Sequence, residues 1–276
     1  EFGVVEMGAS ACGELALLAS VAEPNYGILT NIGLAHLEGF GGPEGVRRGK
    51  GELFDFLAAN GGHAFVPADD EILTGMAAER DSLAAEYYSA SLADGIENHL
   101  EGSYNRFNIA AAVAVGRYFD VPDERIRHAI ASYVPDNNRS QRIGTSRNTL
   151  VADCYNANPV SMGASLDVLK CALGHTVALL GDMGELGADE AKLHYGVGVH
   201  AAENGIQKIV CVGALSKHMA AGARSVAKES QEVVYFPAIE DLLEHLGTIV
   251  QPGDTVLVKA SHFMHFEKVV EKLCQL

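Results

Sequence analysis

The sequence is poor in basic residues, poor in cysteine and free of long apolar runs. Its 276 residues include 20 lysines and arginines against 36 aspartates and glutamates, which gives a formal net charge of −16. Surfaces that bind nucleic acid are built from clustered lysine and arginine, so this balance argues against a nucleic-acid-binding protein. A phosphorylated small molecule is not excluded, because a few local cations, a helix N-terminus and a metal ion can bind it.

The short apolar runs and the scattered cysteines both point to the cytoplasm. No window approaches the roughly 18 consecutive apolar residues of a membrane span. The five cysteines form no CxxC pair and have no zinc-binding spacing, as is typical of reduced thiols in a cytosolic protein. We therefore expect a cytoplasmic protein that does not insert into a membrane.

The length and the first residues bear on domain organisation. With 48% hydrophobic residues, the chain is long enough for two ordinary hydrophobic cores. The first residues, EFGVVE, enter directly as an apolar strand, with no initiator methionine and no capping loop. We expect a fragment of a longer protein, with one domain over residues 1–135 and a second over residues 136–276.

Both halves of the chain alternate apolar strands with helical stretches, which predicts an α/β fold. In the first half, the pattern predicts strands at residues 3–7, 26–30 and 63–66, and helices at residues 13–21, 43–60, 105–119 and 122–133. The polar run PDNN at residues 135–138 is the best candidate for a linker.

After this run the alternation becomes more regular. Strands are predicted at residues 150–153, 176–181, 208–212, 232–236 and 255–259, and helices at residues 161–173, 189–204, 216–228, 239–249 and 265–276. This pattern predicts a doubly wound, Rossmann-like domain. Ligands of such domains bind beyond the carboxyl ends of the strands.

The first chemical motif is TNIGLAHLEGFGGPEGVRRGK, at residues 30–50. It follows an apolar run with Asn31, His36 and a glycine cluster, as expected for a loop that carries ligands for a metal and a phosphate. The motif ends at Lys50, but it does not match the nucleotide-binding pattern GxxxxGK[ST], because position 44 is glutamate and position 51 is glycine.

Two further motifs follow the same logic. The run DCYNANP, at residues 153–159, places Asp153 at the end of a predicted strand. The run YNRFN places Asn105 and Asn108 at the start of an alanine-rich helix, where amide side chains and free N–H groups suit a nucleotide.

Together these motifs resemble those of the Mur ligases over nearly the whole chain. YNANP and the run GDMGELG, at residues 181–187, favour the branch that adds D-alanyl-D-alanine to UDP-N-acetylmuramoyl-tripeptide. The resemblance implies an ADP-forming carboxylate–amine ligase of peptidoglycan synthesis that uses ATP and Mg2+ and forms an acyl phosphate. It also implies the later part of a central ATPase domain followed by the C-terminal domain, and we expect a monomer.

The resemblance implies that Glu6, His36 and Lys50 form the metal site and that two of them also serve the catalytic step. Glu6 and His36 would hold magnesium, and Asn31 would shape the loop. Lys50 would be carbamylated by carbon dioxide, which converts a cation into an oxygen ligand. That reaction requires the neutral amine, and so a lysine whose pKa is lowered or whose carbamate is captured by metal. The resemblance thus implies that His36 and Lys50 are both metal ligands and catalytic residues.

For the nucleotide, the resemblance implies Asn105 and Asn108 on the adenine side, Arg139 on the phosphates and Asp153 on the ribose hydroxyls. The guanidinium of arginine is a planar fork that suits phosphate oxygens. These residues lie on both sides of the linker candidate, so we expect ATP contacts from both halves.

For the amine acceptor, the resemblance implies residues that follow two strands. Tyr155, Asn156 and Asn158 would face the dipeptide, and Lys259 and Ser261 would hold its carboxylate. The chain departs from the family pattern around Ser261, with Ala260 in place of glycine and His262 in place of arginine.

Three alternatives remain open. One is another Mur-type or folylpolyglutamate-type ligase with a different acceptor, and another is a non-catalytic nucleotide-binding module. A nicotinamide-dependent dehydrogenase is disfavoured, because no GxGxxG follows a strand near the start of either half. Since no GxxGKT-type phosphate loop is found in the sequence, we expect this chain to be inactive by itself.

Overall fold

The computed structural model describes residues 1–33, 36–100, 102, 104–135 and 138–276. They form two compact units, one of residues 1–98 and 103–133 and the other of residues 99–102 and 134–276. The strands are β1 Tyr26–Ile28, β2 His63–Pro67, β3 Ala84–Tyr88, β4 Gln141–Gly144, β5 Thr149–Asp153, β6 Thr176–Gly181, β7 Lys208–Val212, β8 Glu232–Phe236 and β9 Thr255–Lys259.

The helices are α1 Glu14–Ala22, α2 Leu37–Phe40, α3 Pro43–Ala59, α4 Glu71–Ala78, α5 Asn105–Tyr118, α6 Asp123–Ser132, α7 Pro159–Lys170, α8 Glu190–Glu203, α9 Ser216–Val226, α10 Ile239–Ile249 and α11 Glu267–Gln275. No described helix combines the length and the apolar character needed to cross a membrane.

The first unit contains a parallel sheet in the order β1-β2-β3. Helix α3 begins with Pro43 at a position that suits proline, since the first helical residue has no intrahelical partner for its N–H. Its apolar residues recur at helical spacing, so Phe54 and Leu57 are fully buried against the sheet. The predicted helix at residues 43–60 is confirmed within one residue.

The strand predicted at residues 3–7 is wrong. The described residues there belong to no strand, and Val4 is 98% exposed. An apolar run becomes a strand only when a neighbouring strand accepts its backbone hydrogen bonds. Strand β3 was not predicted, because its sequence AAEYY has neither a buried apolar run nor a clear alternation.

The second unit is a six-stranded sheet in the order β4-β5-β9-β6-β7-β8, in which only the β4–β5 pair is antiparallel. Helices α7, α8 and α9 cover one face, and α10 and α11 cover the other. Strand β6 is buried on both faces, with Leu180 against the first helices and Leu179 against the second pair. The doubly wound prediction is confirmed.

Strands β5 and β9 are neighbours whose following helices lie on opposite faces of the sheet. A crevice opens beyond the carboxyl ends of two such strands, and ligands of doubly wound proteins bind there. The last residues of the two strands, Asp153 and Lys259, are register partners. The fold therefore places the DCYNANP run and the residues after β9 at one edge of the sheet.

Candidate functional site

Lys50 lies on α3 with its ammonium beside the loop that follows β1. Its Nζ donates a hydrogen bond to the Asn31 carbonyl oxygen at 3.0 Å. Burial lowers the pKa of Lys50 from its usual value, because a partly desolvated ammonium is less stable than the neutral amine. No salt bridge of Lys50 is found among the residues that the structure describes.

The nearest carboxylate in sequence, that of Glu52, serves the start of α1. Its Oε1 accepts from the Gly13 N–H at 2.6 Å and its Oε2 from the Ala16 N–H at 3.0 Å. A carboxylate at a helix N-terminus satisfies N–H groups that have no intrahelical partner and interacts favourably with the helix dipole. A Lys50–Glu52 ion pair, the plain structural role for this lysine, is therefore not what the structure shows.

Glu6 and His36 are the other two predicted metal ligands. Glu6 is exposed in the segment before α1. His36 immediately precedes α2, as its N-cap residue, with a left-handed backbone, φ 54°. Among the described residues no three His, Cys, Asp or Glu side chains form a group that could hold a metal ion. The metal site stays a prediction, in which a carbamate on Lys50 would supply the missing oxygen ligand.

Asn105 and Asn108 meet in the first turn of α5. The Asn108 amide nitrogen donates to the Asn105 Oδ1 at 2.9 Å. Asn105 is buried and Asn108 is exposed. The pair thus orders the helix start and leaves Asn108 on the surface, and the predicted nucleotide contact stays a prediction.

The carboxylate of Asp153 accepts hydrogen bonds from three elements of the second unit. Its Oδ1 accepts from the Ser140 N–H at 3.1 Å. Its Oδ2 accepts from the Ser165 hydroxyl at 2.7 Å and from the Lys259 ammonium at 2.6 Å. Asp153 is only 7% exposed. In this arrangement the carboxylate predicted to bind ribose hydroxyls is already used inside the protein.

Lys259 points inward from the end of β9. Its side chain is 1% exposed, and its ammonium also donates to the Asn156 carbonyl oxygen at 3.2 Å. A buried charge is tolerated when an opposite charge and further hydrogen bonds compensate it, and this setting meets that condition. Lys259 holds the loop after β5 against β9, so its predicted contact with the dipeptide carboxylate stays untested.

Three more predicted acceptor residues also use polar atoms internally. Asn158 caps α7: its Oδ1 accepts from the Ser161 N–H at 2.9 Å, and the Ser161 hydroxyl accepts from the Asn158 N–H at 3.1 Å. The Asn156 Oδ1 accepts from the Ala157 N–H at 2.8 Å. The buried Ser261 hydroxyl accepts from the Gly184 N–H at 3.0 Å. These bonds fix the loops at the edge of the sheet.

Other predicted residues are presented to solvent at the same edge. The guanidinium carbon of Arg139 lies 3.8 Å from the centre of the Tyr155 ring, a cation–π contact between two exposed side chains. The ring of His262 lies 6.0 Å from that of Tyr155. This cluster of Arg139, Tyr155 and His262 combines a planar cation with two rings, which suits an anionic ligand.

The residues that organise the GDMGELG run were not predicted from the sequence. Asp182, at the end of β6, accepts from the Ser216 N–H at 2.7 Å and so caps α9. Gly213 permits this approach, since a Cβ there would lie 2.5 Å from the Asp182 Oδ1. His194, fully buried, accepts from the Met183 N–H at its Nε2, 2.9 Å away. A strand-end aspartate was the only signal for this arrangement.

Comparison with known proteins finds two family models that match this chain. The Mur ligase middle domain matches residues 1–97, and the Mur ligase glutamate ligase domain matches residues 138–262. The UDP-N-acetylmuramoyl-tripeptide–D-alanyl-D-alanine ligase of Bacillus subtilis is 30% identical, over 100% of this chain and 65% of that protein. The chain thus spans slightly less than two thirds of the length of that relative.

Two solved structures show the same fold. The structure of MurF from Acinetobacter baumannii aligns with a TM-score of 0.82 at 26% identity, over 98% of this chain and 64% of that one. The structure of MurF ligase from Thermotoga maritima in complex with ADP aligns with a TM-score of 0.80 at 22% identity, over 98% and 66%. The two family models together match well over half of the chain, so it belongs to the Mur ligase family.

Proposed function

We propose that the full-length protein is an ATP-dependent, ADP-forming ligase that joins D-alanyl-D-alanine to UDP-N-acetylmuramoyl-tripeptide in the cytoplasm. The observation that carries the proposal is the contact between Arg139 and Tyr155, the latter two residues past the carboxyl end of β5. Ligands of doubly wound domains bind beyond the carboxyl ends of the strands, which supports the proposal. The relative from Bacillus subtilis carries the name of this activity, and the Thermotoga maritima structure contains ADP.

In this proposal the second unit positions the reactants. Arg139 offers a planar fork of N–H donors to the nucleotide phosphates. Tyr155, beside it, lies in the loop that would face the dipeptide amine. Because Lys259 and Asp153 are buried, they act by fixing the loops rather than by exchanging protons. Holding amine and acyl phosphate in reacting geometry is the main source of catalysis expected here.

Whether the predicted ligand set suits magnesium depends on Lys50. A hard cation prefers oxygen ligands, and Glu6 alone supplies a carboxylate in the predicted set. Carbamylation would form a bond between the Lys50 nitrogen and the carbon of carbon dioxide, with loss of one proton from the nitrogen. The desolvated setting of Lys50 favours the neutral amine that this reaction consumes. When bound, magnesium would neutralise charge on the phosphoryl group.

The proposal is tested by supplying the full-length protein with ATP, Mg2+, UDP-N-acetylmuramoyl-tripeptide and one amine at a time. We expect ADP release and a new amide with D-alanyl-D-alanine, and much lower kcat/KM with single amino acids or glutamate. Preference for a single amino acid would assign the protein to another Mur-type ligase. Binding of nucleotide without ADP release with any amine would leave only a nucleotide-binding module.

A further inference from the structure

We propose that Ser165 is a positioning residue: together with Asp153 and Lys259 it anchors the strained turn that presents Arg139. This inference rests on the proposed function, in which Arg139 contacts the phosphates of ATP. Ser165 lies on α7, one helix turn after Ser161, the hydrogen-bond partner of the capping residue Asn158, and its own side chain is buried. Among the described residues, its connection to the turn of Arg139 runs through the Asp153 carboxylate, which bonds both the Ser165 hydroxyl and the Ser140 N–H.

The turn that carries Arg139 is conformationally costly. Both neighbours of Arg139 have left-handed backbones, with φ 55° at Asn138 and φ 49° at Ser140. Residues other than glycine adopt this region rarely, and such strain persists only where surrounding contacts hold it. The Asn138 N–H donates to the Gln141 side-chain oxygen at 3.3 Å, and the Ser140 N–H donates to the Asp153 Oδ1 at 3.1 Å.

The hydrogen bond to Asp153 is the stronger constraint, because its acceptor is a buried carboxylate with a fixed orientation. Ser165 and Lys259 hold the other carboxylate oxygen, at 2.7 and 2.6 Å. The Ser165 hydroxyl also lies 2.9 Å from the Ser161 carbonyl oxygen, but it has one proton to donate. Hydrogen bonds to a charged acceptor are stronger than those to a neutral one, so the proton is directed to Asp153.

The anchored turn determines the position of the exposed Arg139 side chain. This side chain and that of Tyr155 are exposed, so their stacking competes with water and with many other arginine rotamers. The anchored turn fixes where the Arg139 backbone stands, and the Lys259 bond to the Asn156 carbonyl fixes the loop that carries Tyr155. One buried carboxylate–lysine pair thereby sets both partners of the cation–π contact before any ligand binds.

The first test is NMR of the 276-residue chain with labelled arginine. Protons of Arg139 above the Tyr155 ring should show an upfield ring-current shift, assigned with Arg139→Lys and abolished in Tyr155→Leu. Ser165→Ala and Asp153→Asn should move this resonance toward the value of a solvated arginine. Ser165→Thr, which keeps the hydroxyl, should restore it. The matched control is Ser225→Ala, which removes a hydroxyl that donates to the Gly222 carbonyl in α9.

The second test is steady-state kinetics of the full-length protein. Ser165→Ala should raise KM for ATP by roughly tenfold, as expected when a hydrogen bond to a charged group is lost, with kcat unchanged and recovery in Ser165→Thr. An unchanged Arg139 resonance in both Ser165→Ala and Asp153→Asn would overturn the anchor, whatever the turnover. A shifted resonance with no change in KM would overturn its link to the nucleotide.

The two tests separate this inference from the proposed function. If the full-length protein forms no amide, the NMR comparison still decides whether Ser165 positions Arg139. Circular dichroism of each variant identifies misfolding, and Ser165→Ala is the decisive variant because it leaves the Asp153–Lys259 pair in place.

Discussion

Lys259 and Lys50 are both removed from bulk water, yet their electrostatic settings differ. Lys259 is almost fully buried and pairs with Asp153 at 2.6 Å. Lys50 is partly buried, and its ammonium donates to a backbone carbonyl. Burial removes water from both ammonium groups, and among the residues that the structure describes Lys259 has an opposite charge beside it whereas Lys50 has none. Burial lowers the pKa of Lys50.

The same contrast separates the two parts of the predicted site. At the edge of the second sheet, Asp153, Asn158 and Ser261 use their polar atoms to hold loops. Substitution there should act first on stability or on loop position. Replacing Lys50 breaks few internal hydrogen bonds, so it should lower kcat more than it lowers the free energy of unfolding. The predictions below test this division, from the largest expected effect to the smallest.

The largest effect is expected from Lys259→Ala. This change leaves the Asp153 carboxylate buried without its counter-charge, which typically costs about 3–5 kcal/mol of unfolding free energy. Chemical denaturation of the 276-residue chain measures the cost. The control is Arg117→Ala, since Arg117 pairs at 2.7 Å with Asp123 and both side chains are about half exposed. A surface pair contributes about 1 kcal/mol or less. Equal losses in the two variants would contradict the structural role of Lys259.

Replacing Lys50 should affect catalysis more than stability. In the full-length protein, Lys50→Ala should lower kcat by about a hundredfold, the usual cost of losing one electrostatic group in an active site. Short carboxylic acids should restore part of the activity, because they can replace the oxygens of a carbamate.

A second variant, Lys50→Arg, distinguishes a carbamylated Lys50 from a Lys50 that acts through its positive charge. Lys50→Arg keeps the positive charge but cannot be carbamylated, so it should be as impaired as Lys50→Ala. An active Lys50→Arg enzyme would show that the charge itself is used, for example on a phosphate. Lys272→Ala, at an exposed position on α11, is the control for nonspecific loss and should keep full activity.

The fold of the second unit could be predicted because its central strands are buried on both faces, whereas the partly exposed edge strand β4 was not predicted. Such buried strands appear as unbroken apolar runs, as at β6 and β9, and their bounds were predicted without error. In the first unit, β3 carries polar residues and the segment at residues 3–7 joins no strand. Strand formation there depends on pairing partners, which composition does not reveal. Half of the linker candidate, Asp136 and Asn137, lies outside the described residues.

The predicted site divides in a similar way. The motifs singled out Asp153, Tyr155 and Lys259 at or just after strand ends, and the register of β5 and β9 makes Asp153 and Lys259 neighbours. They did not reveal that Asp153 and Lys259 bond to each other, because side-chain direction depends on partners distant in sequence such as Ser165. The assignment of each residue to ATP, metal or acceptor stays a prediction.

His194 should make the stability of the second unit depend on pH. Burial lowers the pKa of His194, whose Nε2 accepts a backbone hydrogen bond and so requires the neutral ring. As the pH falls below about 6.5, the unfolded state takes up a proton before the folded state does. The free energy of unfolding should then fall by at most about 1.4 kcal/mol per pH unit, down to the folded-state pKa.

The matched variant for this effect is His194→Gln, which retains an acceptor and cannot titrate. Its unfolding free energy should lose less on acidification than that of the parent chain, although carboxylates titrate in both. Denaturation curves at several pH values between neutrality and pH 5 give the difference. Identical slopes would show that His194 takes up its proton equally in the folded and unfolded states.

The smallest effect is expected at Asn158, which separates helix capping from ligand contact. Asn158→Ala removes the cap of α7 and should cost about 1 kcal/mol of unfolding free energy, whereas serine caps about as well as asparagine. Asn158→Ser should therefore keep the stability. If the amide also donates to the acceptor dipeptide, both variants should raise KM for D-alanyl-D-alanine by about threefold, the cost of one neutral hydrogen bond. An unchanged KM in both variants would show that Asn158 only caps α7. Asn158 would then have a purely structural role, like the one that their internal bonds suggest for Asp153 and Lys259.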